Sequence, residues 1–531
     1  MERSKDGEEE RAGARPAGSG ADFLQLDTAE APRGGLAGWL AGRLRAAIAD
    51  GRLPTGSRLP PTRTLAAELG VSRGVVTEAY RRLSEGGQIS GRGRNGTVVT
   101  AAPALVPPSS AALFAPVSEP AVSEPSSSES SDEPPTRASA LSAAPTPGGP
   151  FSAAPGADVF AELRAAPARY DLTPGVPSLS AFPRAAWLRA ERAVLDGLSA
   201  ADLGYGDPAG APALRRAVAG WLARNRGIRA DPGEVVIVAG VSQALSMLVP
   251  VLAERGIGAV AVEEPGSMGV RRHLAGRGAA TPPVPVDEHG IRVGELRATG
   301  ARAVVLTPAH QFPTGVVLGG ERRRELAEWA RAGGLVVEDD YDAEHRYDRP
   351  PVAAFRSLLP DRVCYLGSVS KLLAPALRTG WIVPPPELRG PLAAAKRDDD
   401  LGNAVLPQLV LARLMDSGDM ERHLRFLRRR HRRRRDAMIG ALAAGLPDAR
   451  VHGAAAGLHL TVTFGGDFDD TALAAAALAE GVKTQPLSWH RRLPGPPGLV
   501  LGYAACSPGA IADAVALLAR ARRGFPGPHR R

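Results

Sequence analysis

Tyr365-Leu366-Gly367-Ser368-Val369-Ser370-Lys371-Leu372-Leu373-Ala374-Pro375-Ala376-Leu377-Arg378-Thr379-Gly380-Trp381 reads as a strand, a loop and a second strand. The loop offers two hydroxyls, one amine and one guanidinium. That set suits a phosphorylated aldehyde: the amine condenses with the carbonyl, and hydroxyls with a guanidinium hold the phosphate. From about residue 169 onward, short apolar runs (235–238, 259–262, 303–306, 335–337, 363–366 and 381–383) alternate with helical stretches. Such alternation specifies an α/β domain around a mostly parallel sheet. After about residue 400 come long helical runs and a smaller α/β piece.

A second stretch, Leu335-Val336-Val337-Glu338-Asp339-Asp340-Tyr341-Asp342-Ala343-Glu344, ends an apolar strand with a burst of carboxylates. Ligands of parallel sheets bind at that end of the strands. The loop Ala239-Gly240-Val241-Ser242-Gln243 lies between a strand and a helix, where free amides attract phosphate.

These motifs resemble fold-type I aminotransferases, which use pyridoxal 5'-phosphate (PLP). The resemblance implies that Lys371 carries the cofactor as a Schiff base, Asp339 pairs with the pyridinium and Tyr341 hydrogen-bonds the ring oxygen. It assigns the phosphate to Ser368, Ser370, Arg378, Ser242 and Gln243. Tyr205, in Gly204-Tyr205-Gly206-Asp207-Pro208, matches the tyrosine that reaches a neighbouring subunit's phosphate, which implies a homodimer. The chain also departs from the pattern. Phe312 stands where catalytic members carry an asparagine at the ring oxygen, and Ser267 where an aromatic stacks on the ring. Val241 replaces a polar residue of the phosphate loop, and 498–503 is apolar where a substrate carboxylate meets arginine.

The chain has 531 residues, 44% hydrophobic and 23% charged, enough for two or three soluble domains. Two cysteines cannot make a disulfide framework, and the expected location is a reducing cytoplasm. The N-terminus opens polar and acidic, unlike a secretory signal, and no apolar run is long enough to span a bilayer. No metal is expected.

The net charge of +9 is unevenly placed, with ten arginines against four carboxylates in residues 36–100. A small basic domain points to a polyanion. Leu36, Leu40, Leu44 and Ile48 specify an amphipathic helix, and further helices are expected from Thr62 and from Arg73, the latter capped by Ser72. A hairpin with a basic, Gly-rich tip follows at 88–99. The line Gly56-Ser57-Arg58-Leu59-Pro60-Pro61-Thr62-Arg63-Thr64-Leu65-Ala66-Ala67-Glu68-Leu69-Gly70-Val71-Ser72-Arg73 resembles the winged helix-turn-helix of GntR regulators. By that resemblance Arg63, Ser72, Arg73, Arg92 and Arg94 contact double-stranded DNA.

The combination resembles the MocR family. The expected chain is multi-domain: a disordered tail (1–35), a small α+β winged head (36–100), a Pro/Ser/Ala-rich linker (101–168) and an aminotransferase-like domain (169–531), smaller subdomain from about 400. It implies a PLP-dependent DNA-binding regulator sensing PLP or a small amine or amino acid, at most with a residual transamination half-reaction. The alternatives are an aminotransferase with an appended head, or a PLP-free dimerisation scaffold. The arginine run in 422–435 reads as a solvated helix face.

Overall fold

The computed structural model describes residues 26, 28, 31–32, 35–49, 52–91, 96–100, 149–151, 155–156, 158–347 and 352–526. Most of the expected tail and of the expected linker, and Arg92 and Arg94 at the wing tip, lie outside the described residues.

The basic segment folds as α1 (Leu36–Ala49), β1 (Arg58–Leu59), α2 (Thr62–Glu68), α3 (Arg73–Glu85), β2 (Ile89–Gly91) and β3 (Thr97–Val99). Its strands form one antiparallel sheet in the order β1-β3-β2. Leu40, Leu44, Ile48, Leu65, Val76, Ala79, Tyr80 and Leu83 close a common core, so the helical period of the sequence is the packing surface. Ser72 occupies the N-cap of α3 with extended backbone, but its side chain makes no capping bond. A separate short unit between 105 and 167 contributes α4 (Val159–Ala165), within the stretch expected as linker.

The large domain opens with β4 (Tyr170–Asp171), α5 (Arg184–Leu195) and α6 (Pro212–Arg226). Then come β5 (Val236–Val238), α7 (Val241–Ala253), β6 (Val260–Glu264), α8 (Met268–Gly276), β7 (Pro283–Asp287), β8 (Gly290–Ile291) and α9 (Val293–Ala298). β9 (Ala303–Leu306), α10 (Gly320–Arg331), β10 (Leu335–Asp339), β11 (Val363–Ser368), β12 (Gly380–Val383), α11 (Pro386–Asp400) and α12 (Val405–Asp416) follow. The chain continues with α13 (Asp419–Gly445), β13 (Arg450–His452), β14 (His459–Thr463), α14 (Asp470–Ala479), β15 (Val482–Lys483), β16 (Gln485–Pro486), β17 (Gly498–Gly502) and α15 (Pro508–Arg522).

An eight-stranded sheet runs β5-β12-β11-β10-β9-β6-β7-β8. β11, β10, β9, β6 and β7 are parallel to one another, β12 is antiparallel to both β11 and β5, and β8 is antiparallel to β7. Both faces are covered: Val236, Val238, Cys364, Leu366 and Ile382 enter one core, and Ile237, Tyr365, Trp381 and Val383 the other. A second sheet, β13-β14-β17-β16, builds the C-terminal part, and β15 pairs in parallel with β4, near the start of the domain.

The carboxyl end of β10 brings charge inside, so it needs compensation. Arg226, the last residue of α6, donates to Asp340 Oδ2 at 2.5 Å and to Val352 O at 2.7 Å, while the Tyr365 hydroxyl reaches Asp340 at 2.6 Å. Helix α13 is solvated on one face, where Arg429, Arg432 and Arg433 are exposed, and packed on the other against α15 and α12, where His431 and Arg434 are buried and Arg434 donates to Ala504 O and Ser178 Oγ. Removing one member of a buried ion pair strands the other, so Arg226→Met should lower the unfolding free energy by about 3–5 kcal/mol in urea titration. Adding Asp340→Asn should recover part of that loss.

Candidate functional site

Strand direction assembles the site. β10 and β11 are parallel, with Asp339 beside Leu366, and two antiparallel steps through β12 turn β5 back to the same direction. The carboxyl ends of β5, β10 and β11 therefore open at one edge, with α7 starting there. A Cβ at Gly380 would stand 2.7 Å from Gly367 O and 3.0 Å from the Gly240 Cα, so only glycine lets these backbones meet. Gly240, at the N-cap of α7 with φ 100°, aims the first amides of the helix into the opening.

Lys371 donates its Nζ to Gly175 O. Burial holds its amine below the usual lysine range, opposed by the charges of Asp342 and Asp339. A less protonated amine is the better nucleophile. Asp339 is buried, its Oδ1 has no hydrogen-bond partner, and its carboxyl is pushed up to about 7 by burial and then by Asp340 and Asp342. A buried acceptor without a partner, near a lysine, fits the ring N–H of a pyridinium. The residues present thus fit the cofactor.

Arg378 is exposed, holds left-handed backbone (φ 45°), and has its guanidinium beside Gly240 at the start of α7. Ser368 ends β11 buried, and Ser370 is half-buried in the loop beyond it. Ser368 and the start of α7 meet at Gly380, and the Arg378 guanidinium meets α7 at Gly240. The Gln243 side chain is turned elsewhere: its Oε1 accepts from Ala239 N and Lys396 Nζ, and its Nε2 donates to Asp399 and Asp400. Ser242 offers the α7 backbone, and Tyr205 stands apart with its ring 96% exposed.

The sequence reading missed several residues here. His310 is buried, its Nδ1 lying 3.0 Å from the Tyr341 hydroxyl and 3.0 Å from Asp342 Oδ2. His459 donates Nε2–H to Pro313 O at 3.1 Å, and burial drives it down to about 3, so it is neutral. Phe312 lies edge-on to Tyr341, His459 and His490, filling the asparagine's position with a hydrophobic ring. Only Asp342 had a sequence signal, from the carboxylate burst. Ser267 caps α8 by accepting from Val270 N, and β17 is a core strand whose neighbour Tyr503 donates to Gly457 O.

On the head, Ser72, Arg73, Gly74 and Thr77 share the exposed face at the start of α3, and Arg63 is exposed on α2. Arg81 and Arg82 are instead paired with Glu78, and Arg81 also with Glu85.

The family model described as "Bacterial regulatory proteins, gntR family" matches residues 36–99, and "Aminotransferase class I and II" matches 172–518. The probable rhizopine catabolism regulatory protein MocR of Rhizobium meliloti is 32% identical over 481 residues, 89% of this chain and 91% of the relative. The chain belongs to the MocR-type branch of the GntR regulators. Another member, the pyridoxine biosynthesis transcriptional regulator PdxR of Corynebacterium glutamicum, is 31% identical over 79% of this chain and 81% of its own. Among solved structures, the α-aminoadipate aminotransferase LysN of Thermus thermophilus superposes with a TM-score of 0.62 at 28% identity. It covers 69% of this chain and 94% of that enzyme. This MocR-type chain is therefore a DNA-binding regulator with a fold-type I domain whose family is PLP-dependent. Among the described residues no helix is long and apolar enough to cross a membrane.

A carboxyl with a raised folded pKa binds its proton more tightly when folded. It therefore favours the fold at low pH, and this contribution fades as pH rises from about 4 toward about 7. In cofactor-free protein, Asp339→Asn should accordingly gain stability relative to the parent over that window. The denaturant midpoint read at each pH checks this, and a difference flat with pH would show that Asp339 ionises freely.

Proposed function

We propose that the large domain serves as a sensor, occupied by PLP at Lys371 and read out through the winged heads of a homodimer. One observation carries the reading: the partnerless Asp339 carboxyl oxygen and the nearby Lys371 amine share a chain with the winged head. The bound cofactor would supply an electrophilic carbon for amines and an electron-withdrawing ring. Lys371 holds it, Asp339 keeps the ring nitrogen protonated, and the Tyr341 hydroxyl donates to the ring oxygen. Ser368, Ser370, Arg378 and the α7 amides, those of Ser242 and Gln243 included, take the phosphate. The effector is PLP itself or a small amine or amino acid exchanging with Lys371.

Sensing is favoured over turnover by what surrounds the site. Phe312 brings no donor to the ring oxygen, and β17 brings no arginine for a substrate carboxylate. The nearby Arg434 guanidinium is already used by Ala504 O and Ser178 Oγ.

A dimer is supported by five large exposed apolar side chains, Leu179, Leu188, Leu195, Leu203 and Tyr205, within one stretch of 27 residues. Leu188→Glu with Leu203→Glu should halve the mass measured by light scattering without loss of helical signal. On the head, Arg63, Ser72 and Arg73 face the duplex, and the wing arginines 92 and 94 add backbone charge.

With PLP added, the parent protein should show a visible band that borohydride fixes to Lys371, and Lys371→Ala should show none. Arg73→Ala should weaken operator binding by about tenfold or more. A PLP-free parent would leave a scaffold, and many turnovers with amines and keto acids would make the chain an aminotransferase.

A further inference from the structure

Tyr341, half-buried, meets two buried polar side chains, His310 and Asp342, that have no part in the function above. His310 comes from the loop after β9, and Tyr341 and Asp342 follow β10. His310 Nδ1 stands 3.0 Å from both the Tyr341 hydroxyl and Asp342 Oδ2, and the His310 and Asp342 side chains are 0% and 1% exposed. The seat is shaped for this ring. Gly457 has φ 83°, and a Cβ there would overlap the His310 ring and stand 2.8 Å from Asp342 Oδ2. The Tyr347 and Tyr503 hydroxyls both donate to Gly457 O at 2.6 Å and pin that backbone.

Proton bookkeeping follows from donor and acceptor capacity. An ionised carboxylate only accepts, so Asp342 draws a proton onto His310 Nδ1. Nδ1 then has no lone pair for the tyrosine proton. The other ring nitrogen, Nε2, is buried without a partner, as an unprotonated nitrogen can be at lower cost than a stranded N–H. The Tyr341 hydrogen is denied to His310; apart from Asp342, which the hydroxyl also meets, its acceptor is one that enters the site.

We propose that Asp342 and His310 are positioning residues that fix the Tyr341 hydroxyl as a donor toward the ring oxygen of the cofactor. The proposal rests on the PLP reading above. It explains how the site tolerates Phe312: with no asparagine donor at that position, Tyr341 must supply the hydrogen bond, and His310 forbids the opposite orientation. Asp342→Asn reverses the logic. The neutral side chain no longer holds the proton on Nδ1, so the ring proton moves to Nε2 and the single Nδ1 lone pair takes the tyrosine hydrogen.

Losing a donor at the ring oxygen concentrates negative charge there and favours the proton on the neighbouring lysine-bound nitrogen. Other ionisable groups facing this cluster include Asp339 on β10, Glu263 on β6, Glu344, His345 and Tyr347 after β10, Lys371 after β11, His459 on β14 and Tyr503 after β17, so each variant is compared with the parent rather than with a free cofactor.

The experiment follows the visible band of the PLP-loaded full-length protein against pH, in the parent and in Tyr341→Phe, Asp342→Asn, His310→Leu and His310→Asn. Tyr341→Phe and His310→Leu, which remove no charge facing the lysine, should both raise the midpoint by about one pH unit, a tenfold change in proton affinity, while Asp342→Asn, which also loses a charge favouring the protonated lysine nitrogen, should rise less. Combining the first two should add nothing further. His310→Asn, whose amide N–H can replace Nδ1–H, should titrate like the parent, whereas His310→Leu should not. Midpoints equal to the parent in Asp342→Asn and His310→Leu, with only Tyr341→Phe shifted, would overturn the proposal.

Nitrogen-15 spectra of histidine-labelled, cofactor-free protein test the first half without PLP. Nδ1–H at His310 in the parent and Nε2–H in Asp342→Asn are required, and Nε2–H in the parent would overturn the orientation. Correct tautomers with no PLP band would instead sink the cofactor reading and, with it, the role assigned to Tyr341.

Discussion

Five carboxylates arrive at the end of one buried strand, and the structure around the site is arranged to accommodate them. Glu338, Asp339, Asp340, Asp342 and Glu344 are all buried. Desolvation makes an unpaired charge there costly, so each needs its own compensation. Glu338 accepts the amides of Phe355 and Arg356 at 2.7 and 2.9 Å, and Asp340 takes Arg226 and Tyr365. Asp342 takes His310, and burial with Asp340 nearby pushes Glu344 up to about 7. Asp339 is left with a buried oxygen and no cation paired to it among the described residues. The strand that looks overcharged is complete when a cationic ring occupies the site.

That arrangement explains how one fold serves two tasks. The parallel sheet gathers β5, β10 and β11 at a common edge, as an enzyme of this fold requires. The substitutions that separate sensing from turnover lie around that edge and leave the sheet intact. Phe312 closes an aromatic group with His459 and His490, and β17 spends its residues on the core. On the proposed reading, cofactor binding is kept while the groups that would drive a free amino acid through repeated chemistry are reduced. The winged head adds the readout, with the exposed start of α3 presenting short residues beside Arg73.

Much of this was legible because the sheet is covered on both faces. Residues 303–306 read as a strand and form β9, and 363–366 and 381–383 lie within β11 and β12, since continuous apolar runs have few other uses. β7 escaped notice because Pro283 and Pro285 interrupt its pattern near the sheet edge, where a missing amide is tolerated. Helix α13 was half legible: composition marks it as solvated, which holds for Arg429, Arg432 and Arg433, whereas Arg434 and His431 are turned into the protein. Composition averages over a helix, but burial is decided face by face.

Sequence alone determined the two domains, the family and the lysine, aspartate, tyrosine and arginine expected at the cofactor, because those signals are local: a residue type at a fixed offset from a strand end. Tertiary structure decided what required distant segments to meet. Residue 310 reaches 341 and 342, residue 226 reaches 340, and residue 457 vacates the space for a histidine ring. It also turned Gln243 away from the opening to Lys396 and Asp400. Hydrogen bonds depend on atoms within about 3 Å. No spacing along the chain specifies that proximity, so the protonation of the site belongs to the fold.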